Sequence, residues 1–240
     1  MIGAIPMGSP PRPPTGHKDD KYPFRLFPAS FTARLEGVGR RSSSIFSRIK
    51  IHPNVLTAIG SAAGLASGAL FALDRPVGAG ILVFVCGAFD VLDGLVAVHT
   101  KRQSLFGAIF DSSLDRYADF FIFAGLAYHF RQNAGLGLAF AAFLGAVMVS
   151  YTRARAEGLG FDCRVGLMQR SERLLLLGLA GLAGPPLRMF DPAMTVVLGL
   201  IALLSNIAAW QRILLVRKLE RQAAFLSKAR NKKSHAGEQL

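Results

Sequence analysis

Four aspartates lie in the run DVLDGLVAVHTKRQSLFGAIFDSSLD, which spans residues 90–115 and is flanked on both sides by apolar sequence. They are Asp90, Asp93, Asp111 and Asp115. Residues three or four apart on a helix share a face, so each pair would present its carboxylates together. A carboxylate at bilayer depth costs roughly 2.5–3.5 kcal/mol, so four of them require positive compensation. Hard oxygen ligands at this density suit Mg²⁺ or Mn²⁺, which makes the four aspartates candidate ligands of one or two divalent ions.

Two such ions would clamp a pyrophosphate and stabilise both the attacking and the leaving oxygen of a displacement at phosphorus. Small residues continue the two aspartate faces, with Gly94 and Ala97 after the first pair and Gly107 before the second. They leave room for a ligand or for close helix contact. The turn 99–104 is short enough to make the two helices antiparallel neighbours, so we expect all four carboxylates to converge.

The composition excludes an ordinary soluble domain. The chain has 240 residues, of which 51% are hydrophobic, and its mean hydropathy is +0.36, values typical of a polytopic membrane protein. The net charge of +13 then indicates contact with anionic lipid surfaces and not with nucleic acid. The two cysteines, Cys86 and Cys163, give no basis for a disulfide or a Cys-ligated metal.

The pattern of apolar runs predicts an all-α fold, a bundle of six transmembrane helices, each near the ~20 residues that a bilayer requires. The predicted spans are about 54–73, 77–98, 105–130, 134–156, 171–190 and 192–216. A disordered tail is predicted over 1–25, and an interfacial amphipathic helix, or equally a basic linker, over 26–52. The membrane domain is expected to cover 53–216, and 217–240 is expected to be a basic cytoplasmic tail.

The positive charges are distributed unevenly between the two sides of these spans. Of the 28 Lys and Arg residues, 24 fall on one side and three on the other. The positive-inside rule therefore places both termini in the cytoplasm and the aspartates at the cytoplasmic ends of the second and third spans. We expect an integral, multi-pass protein of the cell membrane (plasma or inner) that acts on cytosolic substrates.

The aspartate run resembles the signature of the CDP-alcohol phosphotransferase (phosphatidyltransferase) family, D-x2-D-G-x2-A-R-x8-G-x3-D-x3-D. Seven fixed positions match with their spacing intact: Asp90, Asp93, Gly94, Ala97, Gly107, Asp111 and Asp115. The one departure is Val98, where the family has Arg; Lys101 or Arg102 in the adjacent turn could supply that cation.

The resemblance implies a phospholipid-synthesising enzyme that displaces CMP from a CDP-linked lipid with the hydroxyl of a second alcohol. It implies the four aspartates as ligands of two Mg²⁺ or Mn²⁺ ions, Asp115 as general base on that hydroxyl, and a homodimer. The residues implied around the nucleotide are Asp90, Gly94, Ala97 and Gly107, with Asn54 and Thr57 from a Pro-Asn-x-x-Thr match at the start of the first span. Asn54 is equally compatible with an ordinary helix cap.

Arginines at the same membrane side suit the phosphate of an acceptor, since Arg forks match phosphate oxygens. The candidates are Arg116, Arg153, Arg155, Arg170 and Arg173. Several of them are equally compatible with positive-inside residues facing lipid phosphates. Their Asp-Arg, [KR]-A-[KR]-A-E and R-x-E-R settings resemble the phosphatidylinositol phosphate synthase branch, which implies an inositol phosphate acceptor.

Two other functions stay open at this point. Phosphatidylglycerophosphate synthase, with glycerol 3-phosphate as acceptor, would use the same arginines. A non-enzymatic divalent-cation transporter would use the same aspartates. Transporters commonly show repeats and broken helices across the midplane, whereas here the charges gather at one face and no repeat is visible. Asp119 could extend the polar site or pair with an Arg such as Arg116, and pairing is the favoured interpretation. His129 is expected to be an isolated interfacial residue.

Overall fold

The computed structural model describes residues 51–237 except 101 and 162–167, and every regular element among these residues is an α-helix. The helices are α1 (Pro53–Ala72), α2 (Pro76–His99), α3 (Leu105–His129), α4 (Gly135–Gly158), α5 (Arg170–Ala183) and α6 (Phe190–Gly237). The prediction of an all-α chain is confirmed. The predicted tail 1–25 and all but the last two residues of the predicted amphipathic segment 26–52 lie outside the described residues.

Four of the helical stretches are long and apolar enough to cross a membrane: Pro53–Ala72, Pro76–Val98, Gly135–Gly158 and Phe190–Gln222. Helix α3 is 25 residues long but carries the acidic residues of the aspartate motif. Helix α5 has only 14 residues and ends at Ala183, short of the predicted boundary at 190. The following Pro185-Pro186 pair explains the early end, because proline lacks the amide that would continue the helix.

Helix α6 is continuous over 48 residues and runs through Gly237. At 1.5 Å per residue it is about 72 Å long, more than twice the ~30 Å of a bilayer core. Most of the basic segment predicted as a tail from residue 217 is therefore a direct helical extension of the last apolar span.

The helices pack in a closed cycle. Helix α1 packs against α2 and α3, α2 against α5, α5 against α6, α6 against α4, and α4 against α3. Helices α2 and α3, which carry the four aspartates, thus pack mainly against α1 and not against each other. This differs from the expected pair of packed neighbours, because α1 supplies small residues on both contact faces.

The contact between α1 and α3 depends on Gly68 and Gly125. A Cβ atom added to Gly68 would lie 2.0 Å from the carbonyl oxygen of Phe121, and one on Gly125 would lie 2.0 Å from the carbonyl oxygen of Gly68. No side chain fits at such distances, so the two backbones meet directly as in other small-residue membrane contacts. This contact holds the aspartate-bearing helix α3 at a set height along α1.

The end of the bundle remote from the aspartates is fastened by His129, which the sequence predicted to be an isolated interfacial residue. Its Nδ1 lies 2.5 Å from Oδ1 of Asp74, and its Nε2 lies 2.9 Å from Oδ1 of Asp191. Asp74 follows α1 with a left-handed φ of 56°, and Asp191 begins α6. One imidazole therefore connects the ends of α1 and α3 to the start of α6.

The substitution Gly68→Ala is expected to destabilise the protein by about 3 kcal/mol or more, because the new methyl group meets backbone that cannot turn aside. The measurement is the midpoint of thermal unfolding in detergent. Gly137→Ala in α4 is the matched control, since nothing lies within 4 Å of a Cβ atom at that position. Equal melting temperatures for the two variants would show that the α1–α3 contact is not closely packed.

Candidate active site

Three of the four motif aspartates converge between α2 and α3. Asp90 from α2 and Asp111 and Asp115 from α3 each offer a carboxylate oxygen, and these oxygens all lie within 4.8 Å of one another. All three side chains are half-buried. Among the residues that the structure describes, no other group of three acidic, His or Cys side chains meets in this way.

This three-aspartate cluster fits a divalent cation on its own chemistry. The Oδ1 atom of Asp111 is buried and has no hydrogen-bond partner among the described residues. A buried, unsatisfied carboxylate oxygen costs free energy that a cation would recover. Oxygen-only donors are the set that Mg²⁺ and Mn²⁺ prefer.

Asp93, the fourth predicted ligand, faces a different partner. Its side chain is 5% exposed, and its Oδ2 accepts a hydrogen bond of 2.6 Å from Oγ1 of Thr57. Thr57 lies in the first turn of α1, where its hydroxyl also contacts the carbonyl oxygen of Pro53 at 3.3 Å. The bond therefore joins α1 to α2 directly beside the cluster. It also pairs Thr57, a predicted nucleotide contact, with Asp93, a predicted metal ligand.

Asn54 is not the cap of α1. That position belongs to His52, whose Nδ1 accepts from the backbone N–H of Asn54 at 3.3 Å. The side-chain oxygen of Asn54 instead lies beside α3, 3.4 Å from where a Cβ atom on Gly107 would stand. Gly107 in turn donates its N–H to Oγ of Ser104, the N-cap of α3, at 2.9 Å.

The remaining small residues of the motif border open space. Nothing lies within 4 Å of a Cβ atom built on Gly94, and Ala97, one turn further along α2, is half-buried. Val98, where the family signature has Arg, is 56% exposed. Arg102 is also exposed, and Lys101 lies outside the described residues.

Arg170, the first residue of α5, inserts its guanidinium into the cluster. Its Nη1 lies 2.8 Å from Oδ1 of Asp90 and 2.8 Å from Oδ1 of Asp115. Its Nε donates to Oδ1 of Asp119 at 3.2 Å, and its Nη2 lies 3.5 Å from Sγ of Cys86. The cation that compensates the motif aspartates most directly therefore comes from a helix 55 residues further along the chain.

The prediction that Asp119 pairs with an arginine is confirmed, although the partners differ from the Arg116 given as an example. Its partners are Arg170 and Arg173, the latter through Nη2 at 3.0 Å. Arg116 instead donates to the carbonyl oxygen of Ser112 and lies 3.5 Å from Oδ2 of Asp115. Arg116, the example named from the sequence, is not the partner, because it turns along the exposed side of α3 while Asp119 contacts the arginines of α5.

The other predicted phosphate-binding arginines are spread over different environments. Arg173 is 2% exposed, and its Nη1 donates to the carbonyl oxygen of Met168 at 2.8 Å. Arg153 and Arg155 are exposed in the last turns of α4, where Nε of Arg153 pairs with Oε1 of Glu157 at 2.9 Å. Of the five predicted arginines, the structure brings Arg170 and Arg116 to Asp115.

Comparison with known proteins gives consistent matches. The sequence profile of the CDP-alcohol phosphatidyltransferase family matches residues 50–216. The archaetidylinositol phosphate synthase of Methanothermobacter thermautotrophicus is 39% identical over 163 residues, 66% of this chain and 80% of that protein. The crystal structure of Mycobacterium tuberculosis phosphatidylinositol phosphate synthase with CDP-DAG bound is 28% identical, with a TM-score of 0.67 over 75% of this chain and 93% of that one. The same synthase in complex with manganese and citrate is 29% identical, with a TM-score of 0.65 over 74% and 88% of the two chains.

The substitution Asp111→Asn is expected to weaken Mn²⁺ binding by at least about tenfold, because it removes the charge of the unsatisfied carboxylate. The electron paramagnetic resonance signal of free Mn²⁺, titrated with purified protein, measures the affinity without any turnover. Asp74→Asn at the opposite end of the bundle serves as the control and should bind Mn²⁺ as the unsubstituted protein does. Unchanged affinity in Asp111→Asn would place the metal elsewhere.

Proposed function

The chain belongs to the CDP-alcohol phosphatidyltransferase family and is an integral membrane enzyme of phospholipid biosynthesis, and we propose inositol phosphate as its acceptor. In this reaction a phosphatidyl or similar group passes from a CDP-linked lipid, such as CDP-diacylglycerol, to a hydroxyl of inositol phosphate, and CMP leaves. The observation that carries the proposal is the meeting of the three-aspartate cluster with the guanidinium of Arg170. The carboxylates suit a divalent cation, and the guanidinium suits a phosphate.

Asp90, Asp111 and Asp115 would hold the metal, and Asp93 is proposed to join them when it exchanges its Thr57 bond for a ligand position. Two ions of Mg²⁺ or Mn²⁺ are proposed. A bound ion supplies Lewis-acid stabilisation of charge on the phosphoryl and leaving oxygens.

Asp115 is proposed as the general base. The acceptor hydroxyl oxygen forms a new bond to phosphorus, the bond to the CMP oxygen breaks, and the hydroxyl proton passes to the Asp115 carboxylate. That side chain is 13% exposed, with Arg170 at 2.8 Å on one oxygen and Arg116 at 3.5 Å on the other. The two guanidinium groups orient the carboxylate at the edge of the cluster, as a proton acceptor requires.

The nucleotide is proposed to lie against the open face of α2 at Gly94 and Ala97 and to reach Asn54, Thr57 and Gly107. The absence of side-chain bulk at Gly94 is the observation that supports this placement. Asn54, next to Gly107 and not engaged as a cap, offers an amide that can both donate and accept hydrogen bonds.

The acceptor phosphate is proposed to bind Arg170 and Arg116, the two arginines nearest Asp115. Arg153 and Arg155 would extend this positive surface toward the membrane face. Glycerol 3-phosphate carries the same phosphate and remains the second candidate. Inositol phosphate is favoured because the similar proteins reported above include an archaetidylinositol phosphate synthase and a phosphatidylinositol phosphate synthase.

We further propose that all six helices belong to the membrane domain, with both termini in the cytoplasm and the protein in the cell membrane as a homodimer. At 25 residues, α3 is about 37 Å long and can cross a bilayer. Its acidic residues would then lie at the cytoplasmic side, where the cluster meets soluble substrates.

Purified protein with Mg²⁺ and CDP-diacylglycerol is expected to release CMP faster with inositol phosphate than with glycerol 3-phosphate, and only slowly without an acceptor. Chromatographic detection of CMP and of the lipid product measures both rates. Faster release with glycerol 3-phosphate would overturn the acceptor assignment. No release with any phosphorylated polyol would reject the transferase reaction itself.

Asp115→Asn is expected to lower turnover by about 10²-fold or more while CMP binding changes only a few-fold, because the amide keeps a ligand oxygen but cannot take the proton. Steady-state kinetics and CMP titration provide the two quantities. If turnover and CMP affinity fell by the same factor, Asp115 would be acting through binding alone. Asp111→Asn is the comparison variant, expected to lose metal affinity together with turnover.

A further inference from the structure

Asp119 lies one helical turn beyond Asp115 on α3 and has no part in the transfer step proposed above. It is 6% exposed, and both of its carboxylate oxygens are occupied by arginines. Oδ1 accepts from Nε of Arg170 at 3.2 Å, and Oδ2 accepts from Nη2 of Arg173 at 3.0 Å. Burying such an array costs free energy, so its geometry calls for an explanation beyond stability.

Arg173 is buried, and its side chain contacts Asp119 and not solvent. The residue is 2% exposed, and its Nη1 donates a second hydrogen bond, to the carbonyl oxygen of Met168 at 2.8 Å. Met168 is fully buried and has a left-handed φ of 59°. Arg173 therefore links Asp119 to the backbone at Met168 and is shielded from solvent.

The guanidinium group of Arg170 contacts carboxylates through two different nitrogen atoms. Its Nε edge rests on Asp119, while its Nη1 lies 2.8 Å from both Asp90 and Asp115. Because a guanidinium is planar and rigid, anchoring the Nε edge determines where Nη1 points. Among the described side chains, Asp119 forms no hydrogen bond or ion pair with a cluster carboxylate, and its contact with the cluster runs through Arg170.

We propose that Asp119 is a positioning residue that anchors Arg170 and thereby limits how much of the Arg170 charge faces Asp90 and Asp115. This role rests on the proposed function for the identity of the acceptor. Without the Asp119 anchor, Arg170 turns more fully onto the cluster carboxylates. It then competes with a divalent cation for their oxygens and loses the orientation in which it would receive an acceptor phosphate.

Three variants separate this role from loss of stability and from a change of net charge. Asp119→Asn removes the charge of the anchor and leaves one acceptor oxygen for two guanidinium groups, and Arg173→Gln removes the link from Arg173 but leaves the anchor. The double variant Asp119→Asn/Arg173→Gln removes the anchor while keeping the net charge of the site and avoiding an unpaired buried charge. Asp74→Asn, which removes a carboxylate at the opposite end of the bundle, is the control.

Both Asp119→Asn and the double variant are expected to weaken Mn²⁺ binding about tenfold, as loss of an outer hydrogen-bond partner does at metal sites. In both, KM for inositol phosphate should rise about tenfold while kcat changes less. Arg173→Gln is expected to lower the melting temperature but to keep Mn²⁺ affinity within about threefold of the unsubstituted protein, because Asp119 still holds Arg170. Mn²⁺ resonance titration, steady-state kinetics and thermal unfolding supply the readings.

Two outcomes would overturn the positioning role. One is a double variant with unchanged Mn²⁺ affinity and acceptor KM, which would mean that only stability or net charge matters. The other is an equal effect of Asp119→Asn and Arg173→Gln, which would mean that the ion pair between them is merely structural. The Mn²⁺ titration needs no turnover, so it decides the question even if the protein releases no CMP and the proposed function fails.

Discussion

The compensation of buried carboxylate charge is the constraint on which the rest of this structure depends. Asp90, Asp111, Asp115 and Asp119 lie among apolar helices, where each uncompensated charge is unfavourable. Arg170 contacts Asp90, Asp115 and Asp119, and Arg173 gives Asp119 a second guanidinium partner. Oδ1 of Asp111 has no hydrogen-bond partner among the described residues and is the oxygen that a cation would compensate. Helix α5 is too short to meet the length of a membrane span, yet it delivers both guanidinium groups from its first turn.

That first turn is itself an unfavourable place for arginines, because the amino end of a helix carries partial positive charge. Two features offset this. The Glu172 carboxylate accepts from the backbone N–H of Gln169 at 2.9 Å, which satisfies an otherwise unpaired amide, and the aspartates of α3 face both arginines. The unfavourable placement of two arginines at the helix start is thus offset by ion pairs that form only when the first turn of α5 reaches the aspartates of α2 and α3.

The sequence predicts what depends on local spacing and misses what depends on packing between distant segments. The aspartate pairs, the start of α1 at Pro53 and the all-α chain follow from periodicity and helix signals close in sequence. The Thr57–Asp93 bond and the Arg170–Asp115 pair join residues 36 and 55 positions apart, and no local pattern specifies them. The R-x-E-R run places Arg170 and Arg173 on one face, but it does not reveal that one enters the cluster and the other braces it. The early end of α5 is different, because the double proline that follows the helix is a local sequence signal for its termination.

The bond from His129 to Asp74 and Asp191 has a mechanical consequence. It ties α1, α3 and α6 together at the end remote from the aspartates, and the backbone contact of Gly68 with Phe121 joins α1 to α3 in the same half of the bundle. At the opposite end, the hydrogen bond between Thr57 and Asp93 joins α1 to α2. Opening for a substrate is therefore expected at the aspartate end, where side-chain contacts can be exchanged for a ligand, and not in the remote half, where backbone packs directly on backbone.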